Sequence, residues 1–318
     1  MEGFYWEEYK MKEQYISIVI PVYNSEITLR ELYSRIDAIF FDLQKKFQLI
    51  LIDDGSSDTS WNIIEELQKQ YPEKILAVRF AKNYGQHNAI LCGFNYCIGD
   101  IIITMDDDLQ HPPEEMKKLL KKHEETGADV VYGMPIDKKH SVLRNAGSNF
   151  LKKTSEFASE KNVGGSSFRL LKKDIVLEIK SNHNYNFLYL DATINHYTFN
   201  IEHVDVEHHY RKSGKSGYTI GKLISMYFNI LINYSATPLK LMTYGGLLSA
   251  LLAFLFGLHF IYRKIMYNVP LGYTSLIVSI LFSTGLILFC LGIIGQYLYK
   301  LYQMQNQKPS YFIKSILK

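Results

Sequence analysis

The chain has 318 residues, 47% hydrophobic and 21% charged, with three cysteines. That composition excludes a disordered chain, a nucleic-acid-binding tail and a disulfide scaffold, and Cys92, Cys97 and Cys290 match no zinc spacing. All 32 acidic residues lie at or before Glu207, against 24 of the 35 Lys and Arg, a net −8; from His208 onward there are 11 Lys or Arg and no acid. An acidic front and a basic, apolar back describe a water-facing domain joined to a part that meets anionic lipid. The opening MEGFYWEEYKMKEQ is acidic and lacks an apolar core, so no secretory signal is expected.

In chain order, the front part alternates short Ile- and Val-rich runs with helical periodicity. Strands are predicted at Tyr15–Val22, Phe47–Asp53, Ile75–Phe80, Ile101–Met105 and Asp129–Tyr132. Between them, Leu32, Ile36, Ile39, Phe40 and Leu43 share one helix face, and further helices are predicted near Ser57–Gln70, Gln86–Tyr96 and Pro113–Thr126. Strand-helix-strand repetition at this pitch predicts an α/β, Rossmann-like, mainly parallel sheet with helices on both faces. Ligands of such sheets bind at the carboxyl ends of the strands, where the chemistry is to be sought.

After the first strand comes Pro21-Val22-Tyr23-Asn24-Ser25-Glu26, without the GxGxxG of a dinucleotide site. After the second comes Asp53-Asp54-Gly55-Ser56-Ser57-Asp58. Asp58 or Ser57 suffices to cap the next helix, so the Asp53-Asp54 pair is free to accept hydrogen bonds from a base N–H or ribose hydroxyls. After the fourth comes Asp106-Asp107-Asp108-Leu109-Gln110-His111-Pro112-Pro113. Three successive carboxylates at the mouth of a hydrophobic strand repel one another unless a cation joins them. Asp106 and Asp108 alternate in an extended stretch with Gln110 two further on, an oxygen set suited to Mg²⁺ or Mn²⁺ shared with substrate phosphates; the plain alternative is a solvated acidic loop before a helix.

Behind Glu207 the chain changes character. Thr219–Tyr234 places Lys222, Ser225, Asn229 and Asn233 opposite Leu223, Ile224, Tyr227, Phe228 and Leu231, so residues 219–238 are expected to form an amphipathic helix in the membrane interface; packing on the front domain is the competing reading. Charge-free runs then predict transmembrane helices near 241–262 and 272–299 in a membrane domain of residues 239–318 that ends in a short basic tail.

The segments SIVIPVYN (Ser17–Asn24), DDGSSD, Lys82-Asn83-Tyr84-Gly85-Gln86, MDDDLQHPPE and Arg211–Tyr218 (RKSGKSGY) stand in an order that resembles the family 2 glycosyltransferases of GT-A fold. Within these the chain is most similar to the branch of dolichol-phosphate mannosyltransferases and bacterial polyprenyl-phosphate glycosyltransferases, from about Ser17 through both spans. The resemblance implies a GT-A catalytic domain over residues 1–218 and a metal at Asp106, Asp108 and Gln110. It implies a nucleotide-sugar site of Pro21, Tyr23, Glu26 and Asp54, with Asp53, Lys82, Asp106 and Asp107 beside them. Ser166, Ser167, Phe168 and Arg169 match the stretch lining the sugar pocket. Arg211 and Ser216 match the loop that closes over donor diphosphate and acceptor phosphate, with Lys215 beside them, and Arg144 stands where the branch keeps a cation for the lipid phosphate. Catalysis is expected to fall on Asp108, Arg211 and Ser216. The sequence departs from the pattern at Lys82, where Arg is usual, and at Lys215-Ser216-Gly217 in place of E-S-K, and keeps a cation at both.

The implied reaction is inverting transfer of one sugar from a UDP- or GDP-type donor to a polyprenyl phosphate such as undecaprenyl phosphate, on the cytoplasmic face of a bacterial plasma membrane, by a multi-pass protein that binds no nucleic acid. The acceptor phosphate is already anionic and needs no strong base, which ranks Asp191 low as one. A homo-oligomer stays open. A transferase extending a saccharide chain and a non-catalytic nucleotide-sugar-binding subunit are the alternatives. A P-loop fails because His209 stands where Walker A needs Gly, a processive synthase fails for want of its tryptophan motif, and His203, His208 and His209 are better explained by strand alternation than as metal ligands.

Overall fold

The computed structural model describes residues 15–136, 165–181, 190–209, 237–267, 272–305 and 309–318. Arg144, Arg211, Lys215, Ser216 and the expected interfacial segment up to residue 236 lie outside them. The described residues fall into two compact units: the long helices α7 (Thr237–Tyr267) and α8 (Tyr273–Gln305) form one, and everything else the other.

The five expected strands form, as β1 (Ile16–Val22), β2 (Phe47–Asp53), β3 (Ile75–Phe80), β4 (Ile101–Thr104) and β5 (Val130–Pro135). The helices between them are α1 (Leu29–Leu43), α2 (Ser60–Gln70), α3 (Gln86–Phe94) and α4 (Met116–Thr126), the last preceded by a 3₁₀ turn at Pro113–Glu115. After them come β6 (Arg169–Lys172), α5 (Lys173–Ser181), α6 (Leu190–Tyr197), β7 (Ile201–Val206) and, beyond both long helices, β8 (Ile313–Leu317).

The sheet runs β7-β5-β6-β4-β1-β2-β3-β8. Its centre, β4-β1-β2-β3, is parallel, and β5 pairs parallel with β7. The sheet is mainly parallel, as expected, and two strands the sequence did not announce run the other way: β6, antiparallel to both β4 and β5, and β8, antiparallel to β3. The result is a mixed α/β sheet with helices on both faces.

Every residue of β1 and β2 is buried, because both faces are covered. Alternation sorts them: Ile16, Ile18, Ile20, Leu49 and Leu51 pack with α1, α2 and α4, through Ile36, Phe40, Ile64 and Leu119. Val19, Ile50 and Ile52 pack the other way, with Ala89, Ile90 and Phe94 of α3, Val176 of α5 and Ile194 of α6. Each such side chain contributes about 1.5–3 kcal/mol by leaving water. This clamp aligns the strand ends: Val22 lies beside Asp53 across β1 and β2, and Thr104 beside both Val19 and Arg169.

In the second unit, the stretch Phe282–Tyr299 of α8 is long and apolar enough to cross a membrane by length and composition, and it is the one such stretch among the described residues. The other expected span, 241–262, falls within α7. Both helices expose large apolar side chains, among them Leu248, Phe254 and Phe256 on α7 and Phe282, Leu288 and Phe289 on α8.

Candidate active site

Four segments meet at the carboxyl edge of the central strands: the turns after β1, β2 and β4, and the β3–α3 loop. Asp54 ties two of them. Its carboxylate, 3% exposed, accepts the backbone N–H of Tyr84 (2.6 Å) and of Gly85 (2.8 Å), and its own N–H donates to Val22 O. Gly55 follows at φ +71°, and a Cβ there would stand 2.5 Å from the Lys82 carbonyl carbon and 2.8 Å from Asn83 N. Only glycine supplies both the positive φ and the close approach of the two loops. Asp53 points into the protein instead: fully buried, it accepts the Ser56 N–H (3.0 Å) and pairs with Arg79 (3.2 Å), whose guanidinium lies over the Trp61 ring.

The turn after β1 is fastened to the same place. Asn24, at φ +53°, accepts the Ser57 N–H through Oδ1 (2.8 Å). Glu26 accepts the Thr59 N–H (3.0 Å) at the start of α2, so in this structure its carboxylate satisfies a helix terminus. Tyr23 is half-exposed, and Pro21 is buried at the end of β1.

The three successive aspartates go different ways. Asp106 accepts Gln86 Nε2 on Oδ1 and the Ser167 hydroxyl on Oδ2, both at 2.6 Å. Asp107 accepts the Tyr23 N–H (3.0 Å) and the Ser25 hydroxyl, which commits it to the β1 turn; Asp108 accepts the Gln110 N–H (3.0 Å). Leu109, between Asp108 and Gln110, is buried at φ +58°. An apolar side chain held in this left-handed conformation is the sort of local strain that concentrates at functional sites. Among the described residues no group of three His, Cys, Asp or Glu side chains is arranged to hold a metal alone. The donors present, two carboxylates and an amide oxygen, fit a hard divalent ion that takes its remaining ligands from phosphate and water.

Ser166, Ser167 and Arg169 lead into β6, beside β4. Thr104 Oγ1 donates to Ser167 O (2.7 Å), and Ser166 Oγ accepts the Phe168 N–H (3.2 Å). Arg169 turns inward, 2% exposed, and forms an ion pair with Asp191, which also accepts the Tyr132 hydroxyl (3.0 Å). A Cβ at Gly165 would lie 2.1 Å from Asp191 Oδ2, so the turn before β6 closes over this carboxylate. Asp191 is engaged by a buried cation and is not placed as a base. His87 lies in the field of the same pair, held below the ordinary imidazole range by burial and then by Arg169. His111 is buried, stacked on Phe168 (5.3 Å) and edge-on to His208 (5.0 Å); neither of its ring nitrogens has a partner among the described residues. Burial lowers its pKa to about 4, so it packs as a neutral ring.

The structure thus places Pro21, Tyr23, Glu26, Asp54, Lys82, Asp106, Asp107, Asp108, Gln110, Ser166 and Ser167 on the segments that meet at this edge, with Asp53 and Arg169 directed into the core beneath. Sequence reasoning assigned no role to Gln86, His87, Tyr132 or His111. Gln86 and His111 stand in the quoted motifs, but only the fold shows what they face.

Residues 17–185 match the family profile described as glycosyl transferase family 2. A curated relative from Shewanella sediminis, an undecaprenyl-phosphate 4-deoxy-4-formamido-L-arabinose transferase, is 35% identical over 95% of this chain and 92% of its own length. One of the same name from Klebsiella pneumoniae is 31% identical over 95% and 94%. Among solved structures, the mannosyltransferase PcManGT from Pyrobaculum calidifontis, in complex with GDP-Man and Mn²⁺, is similar with a TM-score of 0.47 and 13% identity over 92% of this chain and 86% of that one. The chain belongs to the family 2 glycosyltransferases.

Two outcomes follow from the Asp54 junction. Gly55→Ala must push Lys82 and Asn83 aside, and nucleoside diphosphate affinity, measured by titration calorimetry, should fall at least about tenfold, a change of ~1.4 kcal/mol. Burial raises the Asp54 pKa to about 6, the two amides only partly offsetting it, whereas an unfolded Asp titrates near ~3.9. The folded state therefore binds this proton more tightly, and the associated stability, present below about pH 4, is lost as the pH rises through about 6. Urea unfolding across that window should show the wild-type chain losing roughly 3 kcal/mol relative to Asp54→Asn.

Proposed function

We propose that this protein transfers a single sugar from a UDP- or GDP-type nucleotide sugar to undecaprenyl phosphate, or a similar polyprenyl phosphate, at a bacterial plasma membrane. The observation that carries the reading is the junction of Asp54 and Asp106 through one loop, Tyr84–Gln86, which holds the turns after β2 and β4 in fixed relation. The names of the relatives supply the acceptor and make 4-deoxy-4-formamido-L-arabinose the first sugar to test. The exposed apolar surface of α7 and α8 suits two spans, with the catalytic domain on the cytoplasmic side, next to an acceptor that cannot leave the bilayer.

In this reading Asp106, Asp108 and Gln110 hold Mg²⁺ or Mn²⁺, which supplies charge stabilisation to a departing diphosphate. Gln86 and Ser167 fix the orientation of Asp106, while Asp107, bound to the β1 turn, keeps that turn against the ion-binding loop. Asp54 holds the loop that walls the nucleoside, with Pro21, Tyr23 and Lys82 alongside. Ser166 and Ser167 face the sugar, and the Arg169–Asp191 pair stiffens the pocket floor from beneath. Arg144, Arg211, Lys215 and Ser216 are assigned to the two phosphates. An acceptor phosphate oxygen attacks the anomeric carbon as the bond to the nucleoside diphosphate breaks, with inversion. No side chain takes a proton, in keeping with the engagement of Asp191 by Arg169.

The test incubates membranes containing the protein with undecaprenyl phosphate, Mn²⁺ or Mg²⁺ and a panel of labelled sugar nucleotides. One donor should give organic-extractable label that a chelator abolishes; label entering a saccharide chain instead would overturn the acceptor assignment. Asp108→Asn should lower the rate at least about 100-fold, ~2.7 kcal/mol of transition-state stabilisation, with an unchanged melting temperature.

A further inference from the structure

The chain passes through α7 and α8 and then adds β8 to the outer side of β3, pairing Ala77 with Leu317, Val78 with Ile316 and Phe80 with Ile313. Just ahead of β8, Phe312 O accepts the Ala81 N–H (3.0 Å), so the contact continues past β3 to the root of the β3–α3 loop. Tyr311 stacks on Phe80 at 4.9 Å and 14°, and its hydroxyl accepts Asn95 Nδ2 (2.9 Å) at the far end of α3. Phe80, 1% exposed, meets Tyr84 edge-on at 5.6 Å. Tyr84 and Gly85 donate their amides to Asp54, and Gln86 reaches Asp106.

Tyr311 thus touches both ends of the segment that carries the loop, Phe80 before it and Asn95 after α3. An aromatic pair in this arrangement is stabilised beyond the area it buries. Hydrogen bonds from a loop to a buried carboxylate hold only while the loop backbone keeps its place.

We infer that Tyr311 is a positioning residue for nucleoside diphosphate binding, acting through Phe80 and Tyr84 on the loop that engages Asp54 and Asp106. The inference rests on the reading of those two carboxylates as the nucleotide and ion-holding groups. It gives the tail a role beyond anchorage: the donor site is complete only when the segment following the membrane helices is docked on the sheet.

The experiment uses the full chain in detergent and compares wild type with Tyr311→Phe, which keeps the stack, and Tyr311→Leu, which keeps apolar volume without a ring. Hydrogen exchange of the ligand-free protein is followed at the Tyr84 and Gly85 amides, with amides of β1 and β2 as internal controls. Titration with UDP and with GDP in Mn²⁺ gives the affinity of the better probe. In Tyr311→Leu the two loop amides should exchange about tenfold faster and the affinity fall about tenfold while the β1 and β2 amides are unchanged; Tyr311→Phe should stay within about twofold of wild type on both measures. Unchanged exchange at Tyr84 and Gly85 in Tyr311→Leu would overturn the inference, as would acceleration spread equally over β1 and β2, which marks general destabilisation. If the wild-type chain bound neither nucleotide, the assignment of the carboxylates would fail, while the amide comparison would still decide whether Tyr311 holds the loop.

Discussion

The site depends on a carboxylate that is costly to bury. Asp54 sits at 3% exposure with its oxygens on two backbone amides and no ion pair among the described residues. Desolvation of a charged group outweighs what two N–H donors return, which is why its pKa rises. What the protein gains is register. The loop after β3 can take one position relative to the turn after β2, and the absence of a side chain at Gly55 lets the two backbones touch. Stability is spent there on the geometry of a loop.

The neighbouring charges are handled differently. Asp53 receives Arg79, and Asp191 receives Arg169, in each case a guanidinium brought to a buried carboxylate. Removing one partner of such a pair strands the other, which makes both pairs rigid supports. Asp106 and Asp108 are left at partial exposure, where ligands can reach them.

The parallel centre of the fold was legible because β1 to β5 are apolar runs separated by amphipathic helices, a signal that survives without tertiary context. β6 was not: Arg169-Leu170-Leu171-Lys172 is four residues with charged ends, and becomes a strand only through its neighbours β4 and β5. β8 was hidden by its setting, since Ile313, Ser315 and Leu317 alternate with Lys314 and Ile316 in a segment whose basic charge pointed to the membrane surface. At the site, the motifs located the right loops, but adjacent carboxylates such as Asp106 and Asp107 are indistinguishable by type. Their division of labour follows from which way each points off the strand end, and the position of Asp191 beneath Arg169 joins residues 22 apart through two elements of structure.

The placement of β8 has a consequence for biosynthesis. β3 is made early, yet the strand that covers its outer edge emerges more than 200 residues later, after both long helices. Throughout that interval β3 presents unpaired N–H and C=O groups on a mostly apolar strand, the template on which sheets pair wrongly between molecules. Nascent chains crowded on one messenger would share this open edge until the ribosome has synthesised the residues that close it. The sheet therefore reaches its final width only after the helices have left the ribosome, and a chain delayed before that point is exposed to aggregation through this edge.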